Sequence, residues 1–172
     1  MINLKSKRLR IIPFTKKHLT SRYVSWLNNK KIVKYSELRH KKHTIKTCRE
    51  YIRKIEKTGN CFLAIEDKIT QKHIGNITLT RDNPNKTVDI AILIGEIKMH
   101  GRGLGFEAWM CILDYLKKDK DIKKITAGTM ECDKKMMRII IKSKMSFDGI
   151  RKKYLLYNNK EVDLRFASFR KK

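Results

Sequence analysis

Acidic side chains are scarce in this sequence: 17 Asp and Glu stand against 42 Lys and Arg, a formal net charge of +25 over 172 residues. Proline occurs twice and glycine eight times, and no tract is low in complexity, so neither a linker nor a disordered segment is indicated. Four cysteines (Cys48, Cys61, Cys111, Cys132) lie far apart with no C-x-x-C pair. That spacing speaks against a disulfide framework or a thiolate metal site and for reduced, mostly buried thiols; no metal is expected. Apolar runs are short: Ile90 to Ile94 falls far below the roughly 20 residues of a membrane span. Met1-Ile-Asn-Leu-Lys-Ser-Lys-Arg8 has no apolar signal core, so a cytoplasmic location is expected. The 41% of hydrophobic residues suffices for one core, and a single domain over residues 1–172 is expected.

The positive charge has two readings. A basic surface attracts polyanions, from nucleic acid to phosphorylated small molecules. Alternatively, 30 Lys against 12 Arg fits a compositional bias that fills solvated positions with lysine. Residues 1–60 carry a net +15, residues 61–120 only +1 and residues 121–172 +9. The charge thus flanks a nearly neutral middle. No helix-turn-helix, zinc or RNA-stacking signature accompanies it, and a non-catalytic nucleic-acid-binding module stands only as the alternative from another class.

Hydrophobic periodicity divides the chain into alternating elements. Arg8–Pro13 reads as a strand, and Leu19, Tyr23, Trp26 and Leu27 share one helical face after a Thr15 cap. Residues 30–43 read as a loop or broken helix. Thr44 caps a second helix with the stripe Cys48, Tyr51, Ile52 and Ile55, closing at Gly59. Strands follow over residues 61–65, 74–80 and 87–94, with Asp82-Asn-Pro-Asn85 as the last hairpin turn. A helix from Phe106 to about Lys118, a strand over 124–130, a helix around Met136–Ser143 and a hairpin about Asn158-Asn159 complete the order. The fold class is mixed α/β in one unit.

The chemistry concentrates in His100-Gly-Arg-Gly-Leu-Gly105, set between an apolar strand and a helix. Three glycines in five residues let successive backbone N–H groups converge beside a helix N-terminus, which suits a pyrophosphate, with Arg102 adding charge. A Walker loop would end in Gly-Lys-Ser/Thr, and Gly105-Phe106-Glu107 does not. A dinucleotide fingerprint belongs after the first strand of a parallel unit, whereas this loop follows a hairpin.

His100-Gly-Arg-Gly-Leu-Gly105 with Glu107-Ala108 resembles the acetyl-CoA pyrophosphate loop, Gln/Arg-x-x-Gly-x-Gly/Ala, of the GNAT N-acetyltransferases. The resemblance runs over nearly the whole chain and is nearest the RimL-like branch and members that acetylate amino-sugars on nucleotide carriers. The strings that carry the latter are Trp26-Leu-Asn-Asn29, residues 35–44, Thr126-Ala-Gly-Thr-Met130 and residues 142–149, with Val162-Asp163. It implies a central, mostly antiparallel twisted sheet of six to seven strands flanked by about four helices. It also implies acetyl-CoA as acyl donor, direct transfer to a primary amine, a small-molecule acceptor, and a homodimer on analogy; an N-terminal acetyltransferase of a ribosomal protein is the alternative within the family.

Carried over residue by residue, the resemblance gives backbone contacts to the cofactor from Leu93 and Ile94, and a pyrophosphate site at His100, Gly101, Arg102, Gly103, Leu104 and Gly105. Asp133, where the family usually has Asn, and Met136 would meet the cofactor arm. Glu96 is the candidate base, His40 an alternative, and Tyr157 a replacement for the family's thiolate acid, whose usual tyrosine is missing between Asp133 and Phe147. Trp26, Tyr35, Arg39 and His43 would contact the acceptor. His100 in place of Gln/Arg and Lys144 in place of Gly depart from the pattern.

Gly103→Glu is expected to abolish the thermal protection that millimolar acetyl-CoA gives the wild type while leaving the unliganded chain folded; retained protection would remove the loop assignment.

Overall fold

The computed structural model describes residues 2–171. Its strands are β1 (Leu4–Lys5), β2 (Leu9–Pro13), β3 (Cys61–Asp67), β4 (His73–Asp82), β5 (Thr87–Ile94), β6 (Lys124–Met130), β7 (Ser146–Tyr157) and β8 (Lys160–Arg170). Its helices are α1 (Ser21–Leu27), α2 (Lys30–Val33), α3 (Ile45–Lys57), α4 (Leu104–Lys118) and α5 (Lys134–Lys142). One sheet takes the order β1-β2-β3-β4-β5-β6-β8-β7, and every neighbouring pair is antiparallel except β5 with β6. The expected mixed α/β class holds. The sheet has eight strands rather than six or seven, because two-residue β1 is too short to show a period.

Several boundaries differ from the sequence reading for local reasons. The helix expected through Leu19–Leu27 is broken. Thr15 N–H donates to His18 Nδ1 at 2.8 Å, closing one 3-10 turn, and the Thr20 hydroxyl then accepts Tyr23 N–H to start α1 afresh. Helix α4 starts at Leu104, two residues earlier than expected, because Gly103 at φ +76° supplies the left-handed turn into it. Strand β7 begins at Ser146, not Tyr154, since register shifts at Phe147/Gly149 and Arg151/Leu155 erase the alternation that would have revealed it. Asn158 and Asn159, at φ +51° and +59°, form the expected two-residue hairpin turn.

Two apolar layers sandwich the sheet. On one face α4 and α5 bury Leu104, Ala108, Trp109, Ile112, Leu113, Leu116 and Ile140 against Ile11, Leu63, Ile65, Ile77, Val88, Ile90 and Ile125. Trp109 is fully buried and its indole N–H donates to Ser143 Oγ at 3.2 Å, which ties α4 to α5. On the other face α1 and α3 bury Tyr23, Trp26, Leu27 and Cys48 against Ile12, Phe14 and Ala64.

The sheet opens in its middle. β5 and β6 pair only over Thr87–Asp89 and Lys124–Thr126, after which Ile90–Ile94 and Ala127–Met130 run on without partnering each other. β6 stays with β8, while β5 stays with β4 and then turns at Gly95–Glu96, whose two N–H groups both donate to Ile74 C=O. The Trp26 ring fixes that turn: a Cβ on Gly95 would stand 2.1 Å from it. Gly95→Ala is therefore expected to destabilise the fold by about 3 kcal/mol, measured by urea unfolding, because neither ring nor backbone has room to move.

Candidate active site

The parted strands leave a backbone edge exposed. Gly95 N–H bonds Ile74 C=O, so alternation in the β4–β5 ladder turns Leu93 toward Asn76 and the Ile94 N–H and C=O away from β4, to the opening. The Ile94 carbonyl is taken: the His100 Nε2–H donates to it at 2.7 Å. The Ile94 N–H stays open on that edge and, by the same alternation, so do both backbone groups of Ile92. His100 thereby ties the glycine loop to the end of β5 instead of reaching outward.

Gly101 and Gly103 both lie at φ +76°, a region L side chains rarely adopt. The loop they shape ends on the first turn of α4, whose N–H groups have no intrahelical partner. Glu107 would oppose an anion there, but its carboxylate points to the N-terminal segment. It accepts from Ser6 Oγ and Arg8 N–H, both at 2.7 Å, and from Arg8 Nε at 2.6 Å. Burial raises the Glu107 pKa, and these donors outweigh it to leave a net lowering. Arg8 also donates to Arg102 C=O at 3.0 Å, so it braces the loop. The cradle of φ-positive glycines, orphan N–H groups and a nearby guanidinium fits a pyrophosphate. Leu104 and Gly105 supply it from within the helix.

Glu96 sits at the mouth of the opening, partly exposed, with Arg22 Nη1 4.0 Å from its carboxylate. Arg22 is itself held over the Trp26 ring and by a hydrogen bond to His73 C=O. Of the two places expected for Trp26, the apolar helix face and the acceptor, it takes the first and is corrected as an acceptor contact: it is 4% exposed, with its ring against Gly95 and His73.

The segment between α1 and α3 folds across to the tip of the β7–β8 hairpin. Tyr35 and Tyr157 meet with ring centroids 5.2 Å apart, and Lys34 Nζ lies 4.4 Å from the Tyr35 ring. Tyr35, followed by Tyr157 and Asp133, raises the Lys34 pKa, the Lys34 amine losing little by its slight burial. Arg39, expected to contact the acceptor, is a strut: it donates to Ser36 C=O, Glu37 and Leu156 C=O. His43, expected to contact the acceptor, is likewise spent inside the loop, its Nε2 3.0 Å from Leu38 C=O and its backbone paired with Asn28. His40 is mostly exposed, 3.6 Å from Glu37. Asp133 caps α5 by accepting Lys135 and Met136 N–H, both at 3.1 Å, and Met136 packs on the core beneath. Tyr35, Tyr157, Lys34 and Asp133 are thus brought together.

A family profile described as acetyltransferase (GNAT) domain matches residues 8–146. The chain belongs to the GNAT acetyltransferases. No curated protein matches its sequence. Among solved structures it is similar to RimL, a ribosomal L7/L12 alpha-N-protein acetyltransferase in complex with coenzyme A (TM-score 0.84, 11% identity, 98% of each chain). It is also similar to spermidine N-acetyltransferase from Vibrio cholerae with CoA and spermine (TM-score 0.84, 16% identity, 96% of each chain). A third is the microcin C7 self-immunity acetyltransferase MccE with acetyl-CoA and AMP (TM-score 0.81, 17% identity, 96% of this chain and 94% of that one). The protein is therefore an acetyl-CoA-dependent N-acetyltransferase, and the non-catalytic alternative is set aside. No helix among the described residues is long and apolar enough to cross a membrane.

Behind Arg22 this GNAT enzyme buries a polar cluster that no residue spacing foretells. Glu66, 2% exposed, lies 2.9 Å from Lys17 Nζ, 3.0 Å from His18 Nε2 and 3.8 Å from Arg10. Thr15 N–H occupies His18 Nδ1, so the ring is neutral with its proton on Nε2, shared with Glu66; burial lowers its pKa despite that carboxylate. His73 meets it edge-on at 5.1 Å between ring centroids and donates Nε2–H to Gly75 C=O. Burial, then His18, brings the His73 pKa down to about 4, against an ordinary 6.5. Between pH 6.5 and about 4 the unfolded chain binds a proton that folded His73 refuses, so stability falls as pH falls through that window. The expected loss is roughly 3 kcal/mol in urea unfolding between pH 7.5 and pH 4, with His18 adding in the same direction. His73→Phe is expected to flatten most of that slope.

Proposed function

We propose that this enzyme transfers acetyl from acetyl-CoA to the primary amine of a nucleotide-linked amino-sugar in surface-polysaccharide synthesis. The observation that carries the reading is a count of carboxylates around the acceptor end. Glu37 is bound by Arg39 and His40, Glu96 faces Arg22, Glu131 is held by Arg165 at 2.6 Å, and Asp133 caps α5. Among the described residues each of these carboxylates has a cationic or backbone partner, and with Glu96 serving as the base none is left to hold the second ammonium of a polyamine, whereas Lys34 has no acidic ion-pair partner. An acceptor with its own pyrophosphate suits that balance, with exposed Lys41 and Lys42 close in sequence. MccE, which shares the fold, is in complex with AMP as well as acetyl-CoA, which is in keeping with a nucleotide moiety on the acceptor.

In this reading acetyl-CoA supplies the thioester. The Gly101–Gly105 amides and Arg102 hold its pyrophosphate, Asp133 and Met136 border its arm, and the Ile94 N–H donates to the thioester oxygen as negative charge grows there. Leu93 serves by fixing β5 to β4. Glu96 removes the amine proton, directly or through one water, as the nitrogen bonds to the acetyl carbon. Tyr157 returns a proton to the departing thiolate and, with Tyr35, lines the sugar. His40 is a weaker base candidate because its ring engages Glu37 at the surface. The enzyme works in the cytoplasm. Its edge strand β7 exposes Ile150, Tyr154 and Leu156, a suitable seam for a second copy.

Thiol release tests the reading with three acceptors: a nucleotide-linked amino-sugar, spermidine and a peptide with N-terminal serine. The sugar is expected to exceed the others in kcat/KM by about 100-fold or more, with Glu96→Gln lowering kcat by about 10²–10⁴ and leaving acetyl-CoA protection intact. Turnover of spermidine or the peptide in preference to the sugar would overturn it.

A further inference from the structure

On the α1/α3 side, outside the acetyl-transfer site, a groove of about 470 Å³ lies between the turn that follows β2 and helix α3. The less exposed lining, Phe14, Leu19 and Ile52, forms an apolar floor, and exposed Thr15, Lys16, Arg49, Arg53 and Glu56 form a polar rim. Phe14 is buried, but Leu19 and Ile52 keep part of their apolar surface open to the groove. We propose that this groove binds a small amphipathic carboxylate, its apolar body on Leu19 and Ile52 and its head held by Arg49 and Arg53.

Arginine is the informative residue in a lysine-rich protein. If composition alone filled solvated positions, lysine would stand at 49 and 53, as it does at 46, 54 and 57. Six of the twelve arginines, Arg8, Arg10, Arg22, Arg39, Arg81 and Arg165, are within ion-pair distance of a carboxylate. Arg49 and Arg53 have no such partner among the described residues, nor does Lys16. The two arginines are one helical turn apart, a spacing at which like charges repel in the free protein and an anion between them relieves the repulsion. Their planar forks bind a carboxylate through paired N–H donors, which a lysine ammonium cannot do.

The body of the ligand follows from the floor, which is apolar and offers no buried donor or acceptor of its own. Glu56 adds a negative charge one turn farther along α3, so a molecule with a single anionic head fits and one with two does not. The volume is that of an ordinary small-molecule site. The inference is independent of the acceptor assignment, since none of these residues borders the opening between β5 and β6.

Titration calorimetry with decanoate, decylamine and acetate tests it, with amide chemical shifts recorded in parallel. Decanoate is expected to bind at one site, shifting residues 14–19 and 49–56, while decylamine and acetate do not bind. Affinity is expected to fall at least tenfold in the Arg49→Gln/Arg53→Gln double variant. It should persist in Lys120→Gln/Lys123→Gln, which removes the same charge elsewhere. Acetyl-CoA protection of both variants verifies their fold and reports on the acetyl-transfer site separately. Absence of saturable decanoate binding, shifts scattered over the surface, equal loss in both variants, or binding of decylamine would each overturn the proposal.

Discussion

The contact of Trp26 with Gly95 is the constraint on which the rest depends. A ring packed against bare backbone forces β5 to end in a turn whose two N–H groups share the Ile74 carbonyl. That turn carries the strand away from β6, so the parallel pairing lasts three residues and the remaining edge is open. The free Ile94 N–H, the position of Glu96 and the approach of the glycine loop through His100 follow from this one departure. A sheet that stayed paired would have no cleft.

Charge in this protein is better understood by who is paired than by how much there is. The +25 total suggests a surface for polyanions, yet the few carboxylates are nearly all spent as struts. Glu107 fastens the N-terminal segment to α4, Asp119 holds Arg81, Glu66 gathers Lys17 and His18, and Asp133 starts α5. Glu107, Asp119 and Glu66 are each stabilised in the ionised form by donors that a solvated carboxylate lacks. With the acids committed, the cations that remain free are the ones able to recognise a ligand, and Lys34, Arg49 and Arg53 stand out among them for their surroundings rather than their number.

Buried polarity behind the opening complements this. His18 and His73 are held neutral by burial and by a backbone N–H at His18 Nδ1, and the Lys17 and Arg10 charges of the same cluster are matched to Glu66. Arg22 can then face Glu96 from a fixed position, anchored by the carbonyl of His73 and the ring of Trp26.

Local chemistry made much of the fold legible in the residues alone. Period-two and helical patterns located β5 and β6 to the residue and α3 from its Thr44 cap, and Asn158-Asn159 fixed the last hairpin, because all of these are written within one or two turns of chain, while the three-glycine loop carried the resemblance to the GNAT acetyltransferases that the family profile bears out. Features built from residues distant in sequence were not legible: Arg8 against Glu107, Arg22 against Glu96, the Trp26 ring against Gly95, and the spending of Arg39 on Leu156 and of His43 on Leu38 and Asn28. Residue type told which groups could bind a phosphate, a proton or a sugar. Only the tertiary structure decided which of them were already bound to the protein, since a hydrogen bond or a buried contact between distant residues leaves no period in the sequence.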